Sequence, residues 1–363
     1  MDPNRVLVAL SGGVDSSVTA LLARRAGLQV EAVTLLLPRT RVEDAAAVCA
    51  ALQVPHHVVD LGDAFERCVV QPFVQDYLAG RTPNPCVRCN PLVKFAALAD
   101  RADRLGCARI ATGHYARVQV GEGGAMLLRG RDARKDQSYM LYRLPPALLG
   151  RLWLPLGEMS KRQVRALAAE AGLPSVERPE SQDACFVLAG TVADFVASRY
   201  PEAVRPGPIV TASGAVLGEH RGLAHYTVGQ RRGLRLGGPD GPWYVLALRP
   251  ADNSLVVGPE RALWVESCLV EDLHMLAPEL GDSFAAEVMT RLRGMTTPAR
   301  VELSAGCAHV GFERAHRAPT PGQAAVFYQG ERVLGGGTIG AAEEAMPGER
   351  PLQEGAEPAP GHD

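Results

Sequence analysis

Two stretches of this 363-residue chain carry residue types and spacings that could do chemistry. The first is Ser11-Gly12-Gly13-Val14-Asp15-Ser16-Ser17, which follows the short apolar run Val6–Leu10. Two glycines let backbone N–H groups come close to a phosphate, and a helix starting behind them adds a favourable dipole. Ser11, Ser16 and Ser17 bring hydroxyl donors. Asp15 is out of place beside an anion unless a metal ion or a helix cap uses it. The Gly-x4-Gly-Lys-Ser/Thr pattern is absent, which argues against an ordinary P-loop ATPase. The second stretch is Thr82-Pro83-Asn84-Pro85-Cys86-Val87-Arg88-Cys89-Asn90. Its prolines predict a rigid loop that presents two thiols ahead of a helix over 91–105. A thiol near a helix N-terminus is expected to have a lowered pKa and to be a better nucleophile.

The elements that must hold these stretches are legible as an α/β pattern. Val6–Leu10, Val30–Leu37, Pro55–Asp60 and Ala108–Ala111 read as strands, alternating with helices over 18–27, 42–52 and 65–80. That order predicts a parallel sheet with right-handed crossovers, whose ligands bind beyond the carboxyl ends of the strands. Leu35 ends one such strand, where a backbone contact to adenine is expected. Ala116–Leu128 reads as a hairpin, followed by the basic loop Arg129–Gln137. Ser160–Gly172 reads as a capped helix with Lys161, Arg162 and Arg165 on a basic face that could meet nucleic acid or simply solvent. Beyond about residue 200, short strands replace helices. The expected plan is a catalytic domain over 1–200, a small β-rich domain over 201–267, a β-barrel over 268–342 and a disordered tail over 343–363.

Composition bounds the function. Hydrophobic residues make up 47% of the chain and the formal net charge is −2, as for a soluble globular enzyme. That charge argues against bulk nucleic-acid binding but allows a local basic face. No signal peptide or membrane span is visible, so the expectation is a cytoplasmic monomer with eight reduced cysteines. Cys49, Cys68, Cys107, Cys268 and Cys307 read as buried structural thiols.

Ser11–Ser17 resembles the PP-loop of ATP pyrophosphatases, which release pyrophosphate and leave an adenylate. The ordered set of Ser11–Ser17, Thr82–Asn90, Ala111–Arg117, Lys135–Tyr139, Ser181–Phe186, Tyr226–Leu234 and Pro321–Tyr328 resembles the tRNA-specific 2-thiouridylases over nearly the whole chain. The resemblance implies ATP-dependent 2-thiolation of a wobble uridine in tRNA, with AMP and pyrophosphate as products. It implies ATP, with Mg2+, held by Ala9, Leu10, Ser11, Gly12, Gly13, Val14, Asp15, Ser16, Leu35 and Gly113. It implies tRNA contacts at Asn84, Pro85, Cys86, His114, Lys135, Asp136, Gln137, Arg291, Leu292 and Gln323. Cys89 matches the nucleophile and Cys185 the persulfide carrier. The implied partners are tRNA and a sulfur donor such as a cysteine desulfurase or a sulfur-relay protein.

Two positions depart from the family pattern. Leu292 replaces a usual Tyr, and Cys86 stands where many members carry the Asp proposed as general acid/base. Two sulfur routes therefore stay open: a persulfide–disulfide exchange between Cys185 and Cys89, and a [4Fe-4S] cluster on Cys86, Cys89 and Cys185. The proline-held spacing of Cys86 and Cys89 inclines the reading toward the cluster. The rivals are another PP-loop tRNA-modifying enzyme or ligase, which needs no thiol set, and a non-catalytic RNA-binding sulfur carrier, which needs no intact nucleotide loop.

Overall fold

A computed structural model of the chain describes residues 1–174, 184–201, 204–237 and 241–340. The expected tail and residues 181–183, just ahead of Cys185, lie outside the described residues. The N-terminal part is a five-stranded parallel sheet in the order His56–Asp60, Gln29–Leu36, Asp2–Ala9, Cys107–Ala111, Leu152–Trp153. Its central strand has an apolar middle because both faces are covered. Val6 and Val8 pack with the helices Val14–Arg25, Val42–Leu52 and Lys161–Glu170, while Leu7 faces the helix Phe95–Arg104. The helix that follows Asp2–Ala9 and the helix that precedes Cys107–Ala111 cover opposite faces of the sheet, and the loops after these two strands lie side by side. Such a switch point forms a crevice.

Two helices contain a wide π turn, Glu66–Val70 and Asn90–Lys94. Pro72 and Pro91 stand at these sites; a proline lacks the N–H of a regular turn and its ring crowds the preceding carbonyl. The expected loop at Cys86 and Cys89 is instead the short helix Pro85–Cys89. Pro85 occupies its first turn, where a missing N–H costs nothing, and the Asn84 side chain accepts the N–H of Cys86 at 3.1 Å. The prolines therefore start a helix rather than forbid one.

A four-stranded sheet follows, in the order Tyr244–Arg249, Ser254–Gly258, Gly207–Thr211, Val216–His220. The C-terminal part is a closed six-stranded barrel: Trp264–Met275, Cys307–Arg317, Thr297–Ser304, Ser283–Met289, Ala324–Gln329 and Arg332–Ile339, with the first strand pairing the last. The hairpin Ala116–Gly121/Gly124–Arg129 leaves the N-terminal part and joins this barrel, Leu128 pairing with Arg332. Thr290–Arg293 is the turn that leaves Ser283–Met289.

Candidate active site

The loop Ser11–Gly13 joins the central strand to the helix Val14–Arg25. Gly12 has φ +75°, and a Cβ there would lie 2.7 Å from Cβ of Asp44, so only glycine fits. Gly113, at the end of the neighbouring strand, lies so close to the helix start that a Cβ would be 2.9 Å from the Asp15 carbonyl carbon. Gly113 is thus brought against Asp15 and Ser16, and Ala9 and Leu10 lead directly into the loop. The Thr34 hydroxyl fixes the Leu10 carbonyl at 2.7 Å, and the Leu35 carbonyl accepts the Thr40 hydroxyl at 3.1 Å. The serines differ from expectation. Ser16 and Ser17 donate their hydroxyls to the Gly13 carbonyl at 3.0 and 2.9 Å, and Ser16 accepts the Ser11 N–H at 3.1 Å. They lace the loop shut rather than point outward as donors.

Asp15 is the only carboxylate in the loop. Its Oδ1 and Oδ2 lie 2.7 and 2.8 Å from Nζ of Lys161, and Oδ1 also accepts the Tyr115 hydroxyl at 2.7 Å. A metal ion at Asp15 would have to displace both, so the residues do not fit the Mg2+ role expected of this carboxylate. Lys161 faces inward, with an 11% exposed side chain.

The second centre forms around Cys89. Cys89 is 3% exposed in an apolar cluster with Phe65, Phe73 and Phe186, against which Cys185 is also packed. Phe186 anchors the Cys185 segment, its ring 4.9 Å from Phe73 and 5.8 Å from Phe65. Burial pushes the Cys89 thiol up to about 12 and also raises Cys185, while the Lys94 ammonium pulls both down. The expectation of a lowered pKa at Cys89 is therefore corrected: the apolar cluster outweighs the helix end. Cys86 lies within electrostatic reach of both thiols. His114 stands beside Phe95, ring centroids 5.7 Å apart, and the Thr112 hydroxyl is 2.8 Å from its Nδ1. Burial and then Lys94 push its pKa down to about 3, so the ring is neutral at physiological pH.

The structure lends the cluster expectation no support. Among the described residues no group of three or more His, Cys, Asp and Glu side chains is placed to hold a metal ion. All eight cysteines are free thiols. Cys49 and Cys107 are buried as expected, whereas Cys68, Cys268 and Cys307 are half-buried.

Comparison with known proteins places the chain. Residues 4–189 match the family described as "tRNA methyl transferase HUP domain", 193–259 its "PRC-barrel domain", and 265–339 the "Aminomethyltransferase beta-barrel domain". The tRNA-specific 2-thiouridylase MnmA of Acidithiobacillus ferrooxidans is 46% identical over 94% of this chain and 100% of that protein. Those of Desulforudis audaxviator and Chloroflexus aurantiacus are each 47% identical, over 93% and 94% of this chain and 98% and 99% of theirs. The chain belongs to the tRNA-specific 2-thiouridylase family.

The thiouridylase positions expected to meet tRNA divide into two groups. Lys135 lies in the basic loop, and Arg291 is exposed in the turn 290–293. Leu292 is half-buried against the core. Asp136, Gln137 and Gln323 are held by hydrogen bonds inside the protein. Asp136 accepts the N–H groups of Gly130 and Ser138 at 2.9 and 3.0 Å and the Ser138 hydroxyl at 2.9 Å. Gln137 accepts the Tyr115 N–H at 2.9 Å and donates its own to the Tyr115 carbonyl at 2.8 Å. Gln323 donates its side-chain amide to the Thr82 carbonyl at 2.6 Å, and the Thr82 N–H donates to Pro321 at 2.8 Å. Asp136 and Gln137 fix the loop that carries Lys135. Gln323 pins the barrel to the loop that carries Asn84, Pro85 and Cys86. Sequence reasoning missed Lys94 and Tyr115 and misplaced Lys161. Lys94 had one signal, its place five residues after Cys89; the other two are brought in by tertiary packing alone. Among the described residues no helix is long and apolar enough to cross a membrane.

Proposed function

We propose that this chain carries out ATP-dependent 2-thiolation of the wobble uridine of tRNA, with sulfur passing through Cys185 and Cys89. One observation carries the reading. The segment Ala111–Tyr115 links the two centres: Gly113 packs on Asp15 and Ser16, and one residue later His114 lies within reach of the Lys94 charge that also acts on Cys89 and Cys185. A nucleotide site and a thiol site so joined suit a reaction that activates a carbonyl and then replaces its oxygen by sulfur.

The uridine C2 carbonyl has no leaving group. Its O2 attacks the α-phosphate of ATP, pyrophosphate departs on the glycine loop, and C2 becomes an adenylated carbon. The terminal sulfur of a Cys185 persulfide attacks C2, and AMP leaves with the former O2. The Cys89 thiolate then attacks Sγ of Cys185. The S–S bond to the nucleotide breaks, 2-thiouridine is released, and Cys89 and Cys185 are left as a disulfide. An external thiol reductant resets the pair, and a sulfur donor of the desulfurase or relay type recharges Cys185. The base must leave the anticodon stack for C2 to be reached. Methyl transfer, the word in all three family descriptions, gives no use to the thiol centre at Cys89 and Cys185; the full-length relatives carry the thiolation name. The test is in vitro: iron-free protein, tRNA, ATP and a persulfide donor are expected to yield AMP and 2-thiouridine in equal amounts. AMP without thiolation would favour the ligase reading, and neither product the carrier reading.

A further inference from the structure

The loop Ser11–Ser17 contains no lysine or arginine, yet it faces the most highly charged part of ATP. Backbone N–H groups and a helix dipole supply only partial charges. Pyrophosphate gains charge as it leaves, and such charge is best met by a fixed, partly desolvated cation. A cation is present at this place, delivered from 146 residues away in sequence. Lys161 begins the helix Lys161–Glu170, which the reciprocal Ser160–Gln163 capping box fixes at its start, and the Lys161 N–H donates to Asp132 at 3.0 Å. Its side chain runs over the Tyr115 ring, Nζ lying 5.8 Å from the centroid, and ends on both oxygens of Asp15. The Tyr115 hydroxyl holds Asp15 from the other side.

We propose that Lys161 is the cation of the pyrophosphate site and that Asp15 is its positioning residue, not a metal ligand. This rests on the ATP-dependent reading given above. The arrangement accounts for an acid beside an anion site. Asp15 orders a long, mobile ammonium at the loop before nucleotide arrives, so less side-chain entropy is lost on binding. An arriving phosphate oxygen competes with the carboxylate for the ammonium donors, which draws Lys161 onto the phosphate while Asp15 keeps its Tyr115 hydrogen bond. Arg162 and Arg165, exposed on the same helix, remain on the outer face.

The test measures pyrophosphate and ATP binding by calorimetry and tRNA binding at two salt concentrations. Lys161→Met is expected to weaken pyrophosphate and ATP by on the order of tenfold to a hundredfold, the loss of a charge-assisted contact. Its tRNA affinity and salt slope are expected to match the wild type, and Lys161→Arg to recover part of the loss. Asp15→Asn is expected to weaken nucleotide less than Lys161→Met and to leave the Mg2+ concentration for half-maximal AMP release unchanged. A several-fold rise in that concentration would make Asp15 a metal ligand and overturn the proposal. So would a flattened tRNA salt slope in Lys161→Met, which would put Lys161 on the tRNA face. Should Lys161→Met fail to fold, wild-type protein serves: pyrophosphate is expected to protect Lys161 from acetylation, read by mass spectrometry, and unchanged labelling would overturn the proposal. Wild-type protein that binds neither ATP nor pyrophosphate would instead overturn the ATP-dependent reading itself.

Discussion

The loop Ser11–Gly13 finds its hydrogen-bond partners within a few residues of itself, whereas the turn Cys86–Cys89 finds its partners far along the chain. Ser11, Gly13, Ser16 and Ser17 bond to one another, and Asp15, held by Lys161 and Tyr115, is the long-range exception. Around the thiols, Thr82 is held by Pro321 and Gln323 of the barrel, and its hydroxyl lies 3.4 Å from that of Thr227 in the middle domain. The Asn90 amide donates to Met140 at 2.9 Å, and Arg88 donates to the Cys68 carbonyl at 3.4 Å. A locally closed loop keeps its shape whatever the rest of the chain does. A turn pinned by three domains depends on how those domains sit.

The largest effects should separate the two regions outright. Cys89→Ser and Cys185→Ser are each expected to abolish 2-thiouridine formation while tRNA-dependent pyrophosphate release continues. Gly12→Val is the mirror image. It forces a branched side chain into positive φ against Asp44, so ATP binding should fall by a hundredfold or so, on the scale of severe backbone strain. Alkylation rates of Cys86 and Cys185 should stay at wild-type values in that variant. If Gly12→Val altered thiol reactivity as much as nucleotide binding, the two regions would not be independently built.

The same contrast decides what was legible in the sequence. Strand, glycine turn and helix are local features, and the expected strands at Val6–Leu10 and Ala108–Ala111 and the helix at Val42–Leu52 are present, the last with the same ends. The thiols were legible as residues but not as an environment. Helix position predicted a lowered pKa at Cys89, because the rings of Phe65, Phe73 and Phe186 that bury it come from other segments. Asp15 suggested a metal because Lys161, which takes both its oxygens, lies on a helix whose sequence reads as an outward basic face. Asp136, Gln137 and Gln323, expected as tRNA contacts, also hold hydrogen bonds inside the protein that the sequence does not show.

Lys94 gives the intermediate effect. As a cation it favours the thiolate at Cys89 and Cys185 and the neutral ring at His114. Lys94→Met should therefore raise all three pKa values. Thiolation near neutral pH should fall severalfold and recover as pH rises. The pH profile of single-turnover thiolation, with adenylation saturated, checks the sign. A shift to lower pH, or a uniform loss at every pH, would mean that Lys94 does not act through the thiols.

Smaller changes are expected on the outer faces. Lys135→Ala and Arg291→Ala should each weaken tRNA severalfold and reduce the salt slope by about one, with ATP binding untouched. An unchanged slope would leave both residues on a solvated surface.

The smallest effect tests the fastener itself. Gln323→Ala removes the 2.6 Å hydrogen bond from the barrel to the Thr82 carbonyl but leaves the Pro321–Thr82 backbone bond in place. One such bond contributes about 1 kcal/mol, so unfolding should shift by a few degrees at most. Its kinetic signature should be specific. The Cys86–Cys89 turn loosens while the loop Ser11–Ser17 does not, so the tRNA-independent Kd for ATP should hold and the rate of sulfur transfer should drop about fivefold. A second change, Thr227→Val, cuts the middle-domain contact to the same threonine. If the turn integrates its three supports, the two losses should be more than additive, because Thr82 is shared by both. Strict additivity in sulfur transfer would mean that barrel and middle domain reach the thiols by separate routes, and that the contrast between a self-contained loop and a jointly held turn is drawn too sharply.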